Sequence, residues 1–109
     1  MKRVGMVIGI RPEKISEYRE LHANAWPEIL ERISASGIKN YTIYLKEPEN
    51  LLFSHYEYHG TDYEADVAKI AADEATKKWW ALTDPCQQPL DSRKDGDWWS
   101  VMEEVFHHD

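Results

Sequence analysis

Hydrophobic positions recur along the chain with two different periods. Runs of alternating or β-branched apolar residues predict strands, whereas apolar residues spaced three and four apart predict helices. A Glu-Pro-Glu-Asn segment at 47–50 is typical of a turn and separates two of the predicted strands. In chain order the predicted elements are a strand at 4–10, a helix from Pro12, strands at 40–46 and 51–58, helical segments at 62–72 and 73–82, and a strand at 98–106.

The order of these elements, βαββαβ, predicts an α+β fold of the ferredoxin-like kind. In that fold an antiparallel sheet carries its helices on one face, so its other face needs a partner. Gly5 and Gly9 leave little side-chain bulk on the face of the first strand opposite Val4. A second sheet can pack closely there, so we expect a homodimer of the dimeric α/β barrel type.

Two residues are expected to interrupt the long helical segment after Pro12. Pro27 lacks an amide proton and disfavours helical backbone in the residue before it, so a kink or break is expected near Trp26. Gly37 supplies the left-handed conformation that ends many helices. A break near Trp26 exposes backbone and favours a cleft at that point.

Length and charge narrow the class of protein and of partner. The 109 residues are expected to form one domain, 1–109, and no apolar run is long enough to span a bilayer. Thirteen basic and twenty acidic residues give a net charge of -7, which disfavours nucleic acid and anionic membranes and suits a neutral ligand. Cys86 is the only cysteine, so no internal disulfide is expected. We expect a cytoplasmic location, which suits a chain without disulfides.

The most informative pattern places Tyr18, His22 and Trp26 four residues apart. A helix brings every fourth side chain back to nearly the same face, so a phenol, an imidazole and an indole are expected to project into one patch. Such a patch suits a small polyol. The alternative is a buried aromatic stripe that is plain core, although a titratable ring there must find hydrogen-bond partners. His22 is the first candidate for acid or base chemistry.

Aromatic residues are numerous, with five tryptophans and six tyrosines. Trp79 and Trp80 offer flat faces on which the C–H surface of a sugar can stack. Adjacent helical residues point about 100° apart, so at most one of the pair is expected to reach a ligand while the other packs in the core, and plain packing of both is the alternative. The Asp84-Pro85 turn is placed to bring a carboxylate beside them, or to cap its own backbone.

A rival constellation is formed by His55, Glu57 and His59, alternate residues of one predicted strand. Two imidazoles and a carboxylate on one face can hold a divalent metal. A half-exposed polar strand face explains the same alternation, and we expect no metal. Cys86 has no paired base in the sequence that would make it a catalytic nucleophile.

Several short blocks occur in the same order as in a known family, and they run over nearly the full length. They are Tyr18-Arg19-Glu20-Leu21-His22 with Trp26-Pro27-Glu28, Asn40-Tyr41-x-Ile43-Tyr44-Leu45, Asn50-Leu51-Leu52-Phe53, Lys78-Trp79-Trp80, Thr83-Asp84 and Glu103-Glu104-Val105-Phe106. On these blocks the chain resembles the L-rhamnose mutarotase family. Each block is weak alone, and together they are specific.

The resemblance implies a ferredoxin-like subunit that dimerises, no cofactor, and interconversion of the α and β anomers of a deoxyhexose. By match of position, His22 corresponds to the proton donor of the family. The corresponding sugar-binding residues are Tyr18, Tyr41, Trp79 and Trp80.

Residues 62–76 and 88–98 are less recognisable or differ in length from the pattern, and both stretches are placed to reshape the mouth of a pocket. These differences leave more than one sugar open. L-rhamnose is the expected substrate, and L-fucose or another 6-deoxy sugar is the alternative. Trp98 and Trp99 either line the site of a partner or pack the dimer. Two other classes stay open: a cofactor-independent oxygenase of the dimeric ferredoxin-like type and a non-catalytic binding dimer, because fold alone does not separate them.

Overall fold

Five strands and four helices make up the computed structural model, which describes all 109 residues. The strands are β1 (Lys2–Ile10), β2 (Ile38–Lys46), β3 (Leu51–Tyr58), β4 (Gln87–Gln88) and β5 (Ser100–Met102). The helices are α1 (Ile15–Ala23), α2 (Pro27–Ala35), α3 (Tyr63–Ala72) and α4 (Glu74–Thr83). Short 3-10 turns, Pro12–Lys14 and Asp84–Cys86, precede α1 and follow α4. None of the helices combines the length and the apolar character that crossing a membrane requires.

The sheet has the order β2-β3-β1-β4 and every pairing is antiparallel, which confirms the predicted ferredoxin-like α+β fold. The prediction of one last strand at 98–106 was wrong in detail. Two short strands share the free edge of β1, with β4 opposite Gly9 and Ile10 and β5 opposite Gly5, Met6 and Val7. Pro89 follows β4 directly, and a proline cannot donate to a strand ladder, so the pairing ends there.

Breaks between the helices lie where the sequence placed them. Trp26 is extended and Pro27 is the first residue of α2, so the predicted interruption is confirmed. Gly37 has a φ of 80°, the left-handed conformation expected after a helix. Asp62 and Asp73 cap α3 and α4 by accepting backbone hydrogen bonds from residues three positions later.

The inner face of the sheet carries the core in two clusters. Ile8 and Leu52 are paired across β1 and β3 and belong to the first cluster, while Val4 and Tyr56, paired further along the same strands, belong to the second. Members of both clusters line a cavity of about 1060 Å³. The core is therefore divided, and the space between the sheet and the helices stays open.

A β-bulge in β2 sets the direction of Tyr41. The register with β3 shifts between Lys39 and Thr42, and Asn40 adopts a positive φ of 53°. The extra residue lets Ile38 and Tyr41 face the inner side although they are three positions apart. The alternation predicted from position 40 onward holds for Ile43, but the bulge itself was not predicted.

The outer face of the sheet is partly apolar. Val7, Phe53 and Tyr44 lie in register across β1, β3 and β2, and Tyr44 is 64% exposed. The glycines on this face have different roles. A Cβ on Gly9 would lie 2.5 Å from the backbone oxygen of Gln88, so this glycine allows β4 to approach, whereas Gly5 lies against the Met102 side chain.

Candidate active site

The cavity between the sheet and the helices is mostly apolar, since 20 of its 29 lining residues are hydrophobic. A small number of polar groups in an apolar cavity is typical of a site for a small molecule. The polar and titratable residues of its lining include Tyr18, His22, Tyr41, Asp84 and Gln87.

His22 lies one turn after Tyr18 on α1 and is half-buried. Its Nδ1 is 2.9 Å from the backbone oxygen of Tyr18. A carbonyl oxygen only accepts hydrogen bonds, so Nδ1 carries the proton and Nε2 is the bare nitrogen of the neutral ring. Desolvation lowers the pKa of His22, opposed by the bond to the Tyr18 carbonyl. The neutral imidazole therefore predominates at neutral pH.

Tyr18 is buried beside His22, with 4.2 Å between the two ring centroids. Its hydroxyl oxygen lies 3.1 Å from Nε2 of Gln87, a buried residue of β4. The Oε1 atom of Gln87 lies 2.7 Å from the indole Nε1 of Trp98. Burial raises the pKa of Tyr18 well above that of an ordinary tyrosine, opposed by the hydrogen bond from Gln87. The phenol is therefore neutral at neutral pH and carries its proton in the free protein.

Trp79 and Trp80 both line the cavity. The ring of Trp79 meets His22 at a centroid distance of 5.4 Å and an angle of 69°, and this residue is only 6% exposed. Trp80 is 40% exposed. The two neighbouring rings therefore differ in burial, as their separation around the helix predicts, but both border the cavity.

Trp26 does not line the cavity, so the prediction that Tyr18, His22 and Trp26 share one patch is wrong for Trp26. Helix α1 ends at Ala23, and the extended backbone at Trp26 breaks the four-residue spacing. The indole instead packs edge-on against Trp79 with 5.2 Å between centroids. Trp26 thus supports the cavity wall from behind.

Tyr41 and Asp84 border the cavity from other elements. The Tyr41 ring packs against Tyr56 with 5.3 Å between centroids. Asp84 follows α4, and burial raises the pKa of its carboxyl group. The carboxylate therefore lies at the same cavity as the tryptophan pair, as the Asp84-Pro85 turn indicated.

All five predicted site residues border one cavity: Tyr18, His22, Tyr41, Trp79 and Trp80. Gln87 was missed, because a glutamine in a stretch predicted to be irregular carries no periodic signal. Trp98 and Trp99 border the cavity of their own chain.

The rival groups lie elsewhere. His59 Nε2 is 2.9 Å from Glu57 Oε1, and no three His, Cys, Asp or Glu side chains gather in the chain as a metal site would require. Cys86 is buried with its Sγ 3.0 Å from Glu17 Oε2. Burial raises its pKa to about 11, so the thiol stays protonated and is a poor nucleophile.

Comparison with known proteins shows the family to which the chain belongs. A sequence model described as L-rhamnose mutarotase matches residues 3–108. The chain belongs to the L-rhamnose mutarotase family. The L-rhamnose mutarotase of Oceanobacillus iheyensis is 31% identical over 109 residues, which cover all of both chains. This family member is therefore an isomerase that interconverts the anomers of a sugar, as the resemblance implied.

Solved structures agree with the fold. The L-rhamnose mutarotase of Formosa agariphila has a TM-score of 0.79 and 23% identity, with complete coverage of both chains. An antibiotic biosynthesis monooxygenase has a TM-score of 0.60 at 20% identity, covering 96% of this chain and 99% of that one. At such identity the likeness is one of fold alone. The oxygenase and the non-catalytic dimer are not favoured for this family member.

Proposed function

We propose that this chain interconverts the α and β anomers of L-rhamnose and that His22 is its acid and base. The observation that carries the proposal is a half-buried imidazole, held in one tautomer by the Tyr18 carbonyl, at the edge of an aromatic cavity. A neutral imidazole is able to take up and return a proton near neutral pH. Anomer exchange needs one such proton transfer at each of two sugar oxygens.

In the proposed reaction, Nε2 of His22 removes the proton from the anomeric hydroxyl. The bond between the anomeric carbon and the ring oxygen breaks, giving the open-chain aldehyde, while the ring oxygen receives a proton from Tyr18 or from a water molecule. Rotation about the bond next to the aldehyde presents its other face to the ring oxygen. On closure, the ring-oxygen proton returns to its donor and the imidazolium protonates the new anomeric hydroxyl.

The aromatic residues are proposed to hold the sugar during this reaction. The phenol of Tyr41 fixes a sugar hydroxyl, and Trp80, as the more exposed indole, stacks on the C–H surface of the pyranose. Trp79 holds His22 from the side while bordering the same space. Opening and rotation then occur within one bound complex. The cavity and the family membership support L-rhamnose, with L-fucose or another 6-deoxy sugar as the alternative substrate.

We further propose that the protein is a homodimer. The row of Val7, Phe53 and Tyr44 on the outer sheet face has an apolar character that a second sheet would bury. Val105 and Phe106 in the C-terminal tail are 91% and 84% exposed, which is unusual for large apolar side chains. A second copy of the chain, with the same apolar face, suits both features.

We propose that residues 1–109 act as a single mutarotase domain, because the sheet takes strands from both ends and from the middle of the chain. We also propose a cytoplasmic location, which the buried, unpaired thiol of Cys86 supports.

Saturation-transfer NMR on equilibrated sugars tests the proposed function. The protein is expected to accelerate exchange between the L-rhamnose anomers strongly, L-fucose less, and D-glucose least. Binding of L-rhamnose without faster exchange would instead indicate a non-catalytic binding dimer. Oxygen uptake with a quinol substrate and no anomer exchange would indicate an oxygenase.

A further inference from the structure

Gln87 joins two residues of the cavity through its side-chain amide. It is 4% exposed and lies in β4, next to the turn that follows α4. Its Nε2 is 3.1 Å from the Tyr18 hydroxyl, and its Oε1 is 2.7 Å from Nε1 of Trp98. Both ends of a buried amide are thus engaged at the cavity.

The chemistry of the indole decides which way this amide points. An indole N–H donates and never accepts, so the atom of Gln87 that faces Trp98 must be the amide oxygen. The NH2 group then faces Tyr18, whose oxygen must accept. The Tyr18 hydroxyl makes no other hydrogen bond within the chain, so its own proton is free for a ligand.

We propose that Gln87 is a positioning residue for anomer exchange and that Trp98 sets its orientation, so that the Tyr18 hydroxyl donates its proton toward the sugar ring oxygen. The proposal rests on the proposed function and chooses Tyr18 rather than water as the partner of the ring oxygen. Without the amide, the phenol is free to turn its proton toward another acceptor.

Substitution Gln87→Glu tests the direction of the hydrogen bond with little change of shape. A carboxylate only accepts, so Tyr18 would donate to the introduced carboxylate instead of to the sugar. We expect kcat for anomer exchange to fall about tenfold or more. The matched control is Gln88→Glu, which adds the same charge at the adjacent, exposed position.

The pH dependence separates hydrogen-bond direction from damage to the fold. Once protonated, the introduced carboxyl group again has an O–H to donate to Tyr18, so the ratio of the Gln87→Glu rate to the Gln88→Glu rate should rise as the pH falls. Taking this ratio removes the pH dependence that both variants share through His22. A ratio that stays constant with pH would overturn the proposal.

The Tyr18→Phe background tests whether Gln87 acts through the phenol. In that background the Gln87→Glu substitution should have almost no further effect, because there is no hydroxyl left to orient. Equal losses in both backgrounds would indicate a packing role for Gln87 and overturn the inference.

Trp98→Phe provides a second variant if Gln87→Glu does not fold. Removing the indole N–H leaves the amide free to turn over, so we expect kcat for anomer exchange to fall about threefold. This loss should also disappear in the Tyr18→Phe background. No loss in Trp98→Phe would contradict the role of the indole. Failure of the wild-type protein to exchange any anomers would refute the proposed function itself, and is thus distinct from these outcomes.

Discussion

The imidazole of His22 meets the edge of the Trp79 indole, with ring centroids 5.4 Å apart and planes at 69°. On another side the His22 ring contacts Tyr18 at 4.2 Å. These two neighbours and the hydrogen bond to the Tyr18 carbonyl fix the ring position before any ligand enters. A general base that is already oriented needs no reorganisation when the sugar binds.

The two adjacent tryptophans should respond differently to removal. Trp79→Ala deletes a buried ring that contacts His22 and Trp26, so it should lower the free energy of unfolding by about 3–5 kcal/mol. Trp80→Ala removes a half-exposed stacking surface, so it should raise KM for L-rhamnose about five- to tenfold with a small change in stability. Urea denaturation and saturation-transfer NMR measure the two effects. Equal losses of stability in the two variants would contradict the assignment.

Activity should extend to lower pH than an ordinary histidine allows. Desolvation lowers the pKa of His22 below the usual value of about 6.5, so the neutral ring, which is the proposed base, persists under mildly acidic conditions. We expect the midpoint of the fall in kcat/KM toward acidic pH to lie below 6.5. Exchange rates corrected for uncatalysed mutarotation at each pH provide the test. A midpoint above 6.5 would contradict a desolvated His22.

Two glycines of β1 make a matched pair for stability. A Cβ at Gly9 would lie 2.5 Å from the backbone oxygen of Gln88, so Gly9→Ala must displace β4. We expect this to lower the free energy of unfolding by about 1–3 kcal/mol. A Cβ at Gly5 would meet the Met102 Cε at an ordinary 3.6 Å, so Gly5→Ala should be nearly neutral. Urea denaturation measures both. Because β4 carries Gln87, Gly9→Ala should also lower the rate of anomer exchange. A Gly9→Ala variant with wild-type stability and activity would contradict the close approach of β4 to Gly9.

The outer sheet face should determine the oligomeric state. Phe53→Glu places a charge within the row formed with Val7 and Tyr44, and a buried unpaired charge is costly. We expect this variant to sediment as a monomer at micromolar concentration, and we expect the wild-type protein to sediment as a dimer under the same conditions. Ala72→Glu, at an exposed position at the end of α3, is the control and should remain dimeric. A monomeric wild-type protein would refute the proposed homodimer.

Much of the fold follows from local chemistry. The strand at Leu51–Tyr58 has the predicted bounds, and Pro27 and Gly37 act where their backbone restrictions require. Long-range strand pairing is harder to predict from the sequence, because a short strand forms only where another strand offers a free edge to pair with. Gln87–Gln88 becomes a strand only because β1 offers a free edge and Gly9 has no side chain to block it.

In the candidate site too, local spacing predicted some residues correctly and missed those that depend on distant contacts. Tyr18 and His22 share a helix, so their four-residue spacing correctly placed them together. The same spacing failed for Trp26, since α1 ends before it. Gln87 had no local signal, because its role depends on Trp98 and Tyr18, which are distant from it in sequence or lie in a loop.

Substitution of His22 by asparagine is the most direct test of the central claim. The asparagine amide is still able to donate a hydrogen bond to the Tyr18 carbonyl, but it has no nitrogen that takes up a proton. Saturation-transfer NMR with L-rhamnose should show exchange slowed about 10²-fold or more in His22→Asn, and unchanged in the control His108→Asn at the exposed C-terminus. Wild-type exchange in a folded His22→Asn variant would contradict acid and base catalysis by His22.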